Sequence, residues 1–72
     1  MNVLKFKKGD IVAKKQDKVT EWYLIQEGTV VRSYQLSEVA MGSNAIVGIL
    51  ESGWFASDYL AAEDTTVIVI PS

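Results

Sequence analysis

Short apolar runs separated by glycine-containing turns organise the whole chain. The runs are rich in β-branched and aromatic side chains, and they are typical of short β-strands. They predict six strands, at residues 3–6, 10–15, 21–26, 29–36, 45–50 and 65–70. Strands at a spacing of roughly eight to twelve residues favour an all-β sandwich or barrel.

The glycines predict how the chain turns between these strands. Gly9 is expected to adopt a positive φ in the turn at 7–10. Glu27 and Gly28 are expected to form a tight hairpin turn between the third and fourth strands. Gly48, inside the run at 45–50, suggests a bulge or a close backbone contact.

One segment departs from the β pattern. Ser57 suits a helix N-cap, Asp58 suits a first helical turn, and the leucine and alanines that follow favour helix. We therefore predict one short helix near 57–63, entered through Gly53, Trp54 and Phe55. The predicted fold class is mainly β: a jelly-roll-like or cupin-like β-roll of about six to seven short strands with that helix, forming one small domain over 1–72.

Length and composition exclude several kinds of protein. The chain has 72 residues, of which 49% are hydrophobic, which indicates one small folded domain. It contains no cysteine for a disulfide and no histidine for general-base catalysis. We therefore predict a protein that is not an enzyme and has no metal site or cofactor. No signal peptide and no run long enough to span a membrane is evident, and a cytoplasmic location is expected.

Positive charge is confined to the first half of the chain. Six of the seven basic residues lie in the first 18, the seventh is Arg32, and none follows it. With a net charge of −2, direct nucleic-acid binding is not expected. The lysines are expected to protect strand edges from pairing with other chains.

The stretch FKKGDIVAKKQDKVTEWYLIQEGTVV resembles the first half of a cyclic nucleotide-binding domain of the catabolite activator protein type. The matching positions are an aromatic residue, a glycine–acid pair, strand residues and a glycine: Phe6, Gly9, Asp10, Ile11, Tyr23, Ile25 and Gly28. The stretch GWFASDYLAAEDTTVIV resembles the family's phosphate-binding cassette. The resemblance implies a regulatory or sensor-type domain whose ligand-binding residues would be Gly53, Phe55, Ala56, Ser57, Asp58, Glu63, Thr65 and Thr66.

The cassette departs from the family pattern in both shape and charge. The family's Phe-Gly-Glu corresponds here to residues 55–57 or, aligned without a gap, 56–58, and the glycine is missing in both cases. The family's phosphate-pairing arginine would fall near Glu63, and Gln16 stands where the first loop usually has a glycine. Ser57 and Asp58 are expected to supply an anion to the helix N-terminus from within the chain. We therefore predict a degenerate cassette that does not bind cyclic nucleotides in the usual way.

Two other functions remain open at this point. KKGDIVAKK also resembles the opening strand of small SH3-like or other β-barrel protein-interaction modules. A cupin-like roll that binds a sugar or small acid is the third alternative, which the lack of histidine disfavours.

The family resemblance also bears on partners. Family domains continue with a further strand pair and a C-terminal helix, often followed by a helix-turn-helix, whereas this sequence stops at Ser72. We expect either the N-terminal portion of a longer protein, with its C-terminal continuation as partner, or a chain that closes its roll differently.

Self-association is predicted from the last strand. It is apolar on both faces, with Val67 and Val69 on one and Ile68 and Ile70 on the other, and it has no charged residue to protect an edge. We expect a two-fold dimer that buries this strand or the face around Trp54 and Phe55. The predicted interface residues are Trp54, Phe55, Val67 and Val69.

Overall fold

A computed structural model describes residues 2–34 and 36–72, without the side chain of Tyr34. The described residues form eight strands and no helix, so none of them forms a helix that could cross a membrane. The strands in chain order are β1 (Asn2–Phe6), β2 (Ile11–Ala13), β3 (Glu21–Glu27), β4 (Val30–Tyr34), β5 (Ser37–Met41), β6 (Ile46–Val47), β7 (Tyr59–Ala61) and β8 (Thr65–Pro71).

The strands form two antiparallel four-stranded sheets. Sheet A has the order β1-β8-β3-β6, and sheet B has the order β2-β7-β4-β5. Their inner faces enclose one core whose fully buried side chains include Ile25, Val30, Val47 and Val67. Burying each such side chain contributes about 1.5–3 kcal/mol. The predicted mainly β roll is confirmed.

The strand β8 is central in its sheet and not at an edge. It pairs with β1 on one side and with β3 on the other. Val67 and Val69 point into the core, whereas Ile68 and Ile70 alternate with them and are half-buried. The expectation that this strand offers an unprotected edge is therefore wrong, because the chain's own first and third strands cover both edges.

The predicted short helix near 57–63 is also wrong. Residues 59–61 form β7, which pairs with both β2 and β4. Tyr59 and Ala61 are buried while Leu60 is exposed, an alternation with a period of two that fits a strand. One or two isolated helical turns are only marginally stable, so pairing with two neighbouring strands outweighs the local helix preference of leucine and alanine.

Two turns also differ from the predictions. The turn at 27–28 does not close a hairpin, because β3 lies in sheet A and β4 in sheet B. Of the two roles suggested for Gly48, the bulge is wrong, because Gly48 has a φ of 100° and follows β6 in a turn. Its backbone does lie close to a neighbour, since a Cβ there would be 3.2 Å from Trp22 Cδ1. In addition, β5 has no counterpart in the sequence prediction, because its side chains are mostly exposed and its short SEVAM pattern is weakly apolar.

At Gly28 the chain passes from β3 in sheet A to β4 in sheet B, close to the start of β8. Its φ is 105°, a left-handed conformation that favours glycine. A Cβ atom here would lie 2.5 Å from Thr65 Oγ1 and 2.6 Å from the Asp64 carbonyl oxygen. The same hydroxyl accepts a hydrogen bond from the Thr29 N–H at 3.2 Å. No side chain fits at this crossing without moving backbone atoms.

Replacing Gly28 with alanine should lower the free energy of unfolding by about 2–4 kcal/mol, because strain and steric overlap add. Gly42→Ala is the matched control: a Cβ there meets nothing within 4 Å, so its effect should stay within about 0.5 kcal/mol. Urea denaturation followed by far-UV circular dichroism measures both. Equal stability of the two variants would contradict the close approach at Gly28.

Candidate functional site

The long connection between β6 and β7, residues 48–58, is held against the loop that follows β2. The Phe55 N–H donates to the Asp17 carbonyl at 2.9 Å, and the Gln16 N–H donates to the Phe55 carbonyl at 2.7 Å. The Val19 N–H donates to the Gly53 carbonyl at 2.8 Å. These backbone bonds fix the connection at the position where the sequence analysis placed the cassette.

A buried carboxylate organises this connection. Glu51 Oε2 accepts a hydrogen bond from the Ala56 N–H at 2.5 Å, and Glu51 Oε1 lies 3.7 Å from Arg32 Nη2. The Glu51 side chain is 5% exposed and that of Arg32 is 26% exposed. The guanidinium carbon of Arg32 lies 5.9 Å from the ring centroid of Tyr59, within the range of a cation–π contact. We call Arg32, Glu51, Ala56 and Tyr59 the Glu51 cluster.

The backbone explains why these groups meet. Arg32 on β4 lies directly opposite Tyr59 on β7, so their side chains share the inner face of sheet B. The Glu51 N–H donates to the Gly48 carbonyl at 3.1 Å, which closes a tight turn immediately after β6. Gly48 also keeps this turn compact, because a Cβ there would lie 3.2 Å from Trp22 Cδ1.

Burial and the charges of the Glu51 cluster shift the pKa of Tyr59. Burial raises the pKa of Tyr59, the Glu51 carboxylate raises it further, and the Arg32 guanidinium lowers it. The Tyr59 ring meets Phe55 edge-on, with centroids 5.6 Å apart and planes at 70°. The phenol is therefore held neutral against the core side of the cluster.

Two spaces flank the Glu51 cluster. A groove of about 460 Å³ runs along residues 15–16 and 50–56, and the side chain of Trp54, which lines it, is 61% exposed. A smaller cavity of about 130 Å³ is lined by Arg32 and Tyr59 together with Val39 and Met41. Glu51 lines the groove, and its ion-pair partner Arg32 lines the cavity.

The predicted ligand-binding residues of the first part of the cassette take different roles. Gly53 turns the chain with a φ of 94°, and Phe55 is buried in the core. Ala56 contributes its N–H to the Glu51 cluster. Ser57 is 2% exposed, and its hydroxyl has no hydrogen-bond partner within the described part of the chain. Asp58 accepts a hydrogen bond from the Lys15 N–H at 2.8 Å.

The remaining predicted ligand-binding residues lie at the far end of β7, near the Gly28 turn. Glu63 Oε2 accepts a hydrogen bond from the Thr29 hydroxyl at 2.6 Å. The Thr65 hydroxyl donates to the Glu63 carbonyl at 2.8 Å and is buried. Thr66 pairs with Lys5 of β1 in sheet A. The structure therefore does not bring Glu63, Thr65 and Thr66 together with residues 53–58.

A carboxylate of the chain itself is held in the connection between β6 and β7, but it does not come from Ser57 or Asp58, which were expected to supply an anion there. No helix N-terminus forms at Ser57, and Asp58 bonds elsewhere. The carboxylate comes from Glu51 and the cation from Arg32, and the sequence analysis assigned a site role to neither. Arg32 was detectable as the only basic residue after position 18. Its meeting with Glu51 depends on the pairing of β4 with β7.

The predicted interface residues are mostly inside the chain. Phe55, Val67 and Val69 are 5%, 0% and 8% exposed, so their side chains offer no surface to a second molecule. Trp54 is the exposed member of that set.

Solved structures with the same fold include regulators, cyclic nucleotide-binding proteins and an EAL enzyme in its cAMP-bound form. A putative cyclic nucleotide-binding protein from Geobacter metallireducens is 24% identical, with a TM-score of 0.86 over 97% of this chain and 55% of that one. A transcriptional regulator from Thermotoga maritima is 23% identical, with a TM-score of 0.81 over 99% and 63%. The regulatory subunit of a cAMP-independent protein kinase A from Trypanosoma brucei is 18% identical, with a TM-score of 0.87 over 97% and 28%.

These similarities show the fold. The chain spans between about a quarter and two thirds of the length of these three proteins. No protein-family model matches the sequence, and the search of curated proteins also gives no match. The β-roll that the sequence resemblance implied is thus confirmed by structure.

The raised pKa of Tyr59 predicts a loss of stability in alkali. Since the folded-state pKa lies above the ordinary value of 10.0, the unfolded chain releases the proton first as pH rises past 10. The stabilisation is fully present below pH 10 and is lost as pH rises through the folded-state pKa. Tyr59→Phe should make the decline above pH 10 shallower, as urea titrations at successive pH values would show. A decline as steep as in the unchanged protein would contradict this.

Proposed function

We propose that this chain, which has the β-roll fold of cyclic nucleotide-binding proteins, is a non-enzymatic regulatory domain that does not bind cyclic nucleotides in the usual way. The observation that supports this proposal is the position of the Glu51 carboxylate. It already engages two groups that suit an anion, the Arg32 guanidinium on β4 and the Ala56 N–H in the connection between β6 and β7.

A cyclic phosphate would compete with this carboxylate for the same groups. Glu51 is nearly buried, so its negative charge is poorly screened by solvent and would repel a second anion. Displacing it would leave a buried charge without its partner, at a cost of about 3–5 kcal/mol by comparison with other broken ion pairs. That cost corresponds to a loss of roughly 10²–10⁴ in affinity.

One known protein with the same roll supports a regulatory role without a usual nucleotide ligand. The kinase regulatory subunit from Trypanosoma brucei is described as belonging to a cAMP-independent enzyme. A shared fold does not imply a shared ligand, because ligand choice depends on the side chains of the site. The two four-stranded sheets also favour this reading over a small SH3-like interaction barrel.

We propose that the outer face of sheet A is the contact surface for a second copy of the isolated chain. Ile68 and Ile70 alternate with the buried valines of β8 and stay half-buried. Leu24 lies opposite Ile68 on one side, and Val3, which is 54% exposed, lies opposite it on the other. These aliphatic side chains form a continuous row across three strands that the core does not cover. In a longer protein, a C-terminal continuation would cover the same face.

Cyclic AMP and cyclic GMP should give no measurable binding to the unchanged chain in calorimetric titrations with ligand up to about 1 mM. Glu63→Arg is the matched variant, since it places an arginine where the sequence alignment would put one. It should also fail to bind, because Glu63 lies beyond the far end of β7 from the Glu51 cluster. Micromolar binding of either nucleotide to the unchanged chain would contradict the proposed function.

Ile68→Thr should weaken self-association of the isolated chain, because it removes apolar area from the centre of the outer face while keeping a β-branched side chain. Leu36→Thr is the control, since Leu36 is fully exposed at another surface. Light scattering over a dilution series should show dimer for the unchanged chain and the control, and a shift to monomer for Ile68→Thr. If all three remain monomeric at high concentration, the face does not mediate self-association.

A further inference from the structure

Glu51 lies at the boundary between the groove and the cavity. Glu51 and Trp54 both line the groove, and the Glu51 carboxylate pairs with Arg32, which lines the cavity. Leu50, the preceding residue, lines both spaces and is 86% exposed. Moving this one acidic side chain would therefore open the groove toward the Arg32 guanidinium.

The groups that hold Glu51 would suit an external carboxylate equally well. An arginine and a backbone N–H together provide charge-assisted hydrogen bonds to carboxylate oxygens. The neighbouring Ser57 hydroxyl is buried without a described partner, so a further polar group is present in the same turn. These groups are set in mostly apolar surroundings, which strengthens their electrostatic interactions.

The side chains that line the groove indicate which chemical groups such a ligand would carry besides its carboxylate. Trp54 offers a largely exposed indole, and Leu50 offers an exposed aliphatic side chain next to it. A flat or aliphatic body would bury both. Arg32 pairs with one carboxylate, that of Glu51, and the Asp58 carboxylate lies at the backbone of Lys15, the other cationic residue that lines the groove. A phosphate dianion would bring a second charge close to Asp58, whose carboxylate lies in the same turn. The arrangement therefore favours a carboxylate over a phosphate.

We propose that the Glu51 cluster is a binding site for a small organic carboxylic acid with an apolar body, and that Glu51 is its built-in competitor. The ligand's carboxylate replaces that of Glu51 at Arg32 and at the Ala56 N–H, and its apolar body lies against Trp54 and Leu50. This inference rests on the proposed function, in which the cassette holds its own anion. Displacement of Glu51 releases its bond to Ala56 and so couples ligand binding to the 48–58 connection.

Because Glu51 belongs to the same chain as the site, its carboxylate competes with the ligand at a high effective concentration. For a short connection this concentration is on the order of millimolar or higher. Removing Glu51 should therefore raise the apparent affinity for the ligand, and removing its cation should abolish the gain. Removal of Arg32 should therefore lower the affinity for the ligand, whereas removal of Glu51 should raise it, although both residues belong to the same ion pair.

The test uses phenylacetate as the probe and follows the Ala56 amide and the Trp54 indole by NMR. Glu51→Ala should bind phenylacetate at least about 10-fold more tightly than the unchanged chain, since one charged hydrogen-bonded competitor is removed. Glu51→Gln should show a gain in the same direction, because it retains an acceptor for the Ala56 N–H but loses the charge. The double variant Arg32→Gln/Glu51→Ala should lose the gain.

Three controls make the outcome decisive. Glu38→Ala removes an exposed acid from β5 and should bind phenylacetate as the unchanged chain does. Phenyl phosphate should bind Glu51→Ala more weakly than phenylacetate does, and benzyl alcohol should not bind any variant. Dispersed amide spectra establish that each variant is folded, and Glu51→Gln serves if Glu51→Ala is not.

The proposal is overturned if neither Glu51 variant binds phenylacetate more tightly, or if the gain persists without Arg32. Stronger binding of phenyl phosphate than of phenylacetate would overturn the assignment to carboxylic acids. These outcomes are separate from failure of the proposed function, which concerns cyclic nucleotide binding to the unchanged chain.

Discussion

The pairing of β8 with both β1 and β3 is the constraint on which the structure depends. It joins the first and last strands of the chain and places Val67 at the centre of the core, fully buried. Without β8, the strands β1 and β3 would not be joined in sheet A, and sheet B would lack the sheet against which its inner face packs. Because the pairing links the two ends of the sequence, its entropic cost is high and must be offset by burial of the enclosed side chains.

The same closure positions the candidate site. The chain crosses from sheet A to sheet B at Gly28, which aligns β4 with β7 and brings Arg32 opposite Tyr59. The connection between β6 and β7 runs past Arg32 and Tyr59. The turn closed by the Glu51 N–H and the Gly48 carbonyl places the Glu51 side chain next to Arg32. The ion pair is a consequence of strand order, because Arg32 lies on β4 of sheet B, Glu51 lies in the connection from β6 of sheet A to β7, and the two are 19 positions apart in the sequence.

A buried carboxylate inside a cassette-like turn changes what the roll can do. The scaffold retains a backbone N–H and a cation arranged for an anion, but both are engaged by the chain itself. An external anion at Arg32 and the Ala56 N–H would have to compete with the Glu51 carboxylate. The apolar outer face of sheet A, which includes Ile68 and Ile70, lies on the side of the sheet that faces away from the core.

The sequence by itself determined the β class, most strand positions and the turn at Gly9, because alternation and glycine act over a few neighbouring residues. It also indicated that no arginine stands near Glu63 in the cassette. The sequence could not determine that 59–61 is a strand, because local helix preference is weak against pairing with β2 and β4. Nor could it show that Arg32 meets Glu51 or that β8 is central, because both depend on which distant strands become neighbours. Only the tertiary structure decides that, through burial of one shared core.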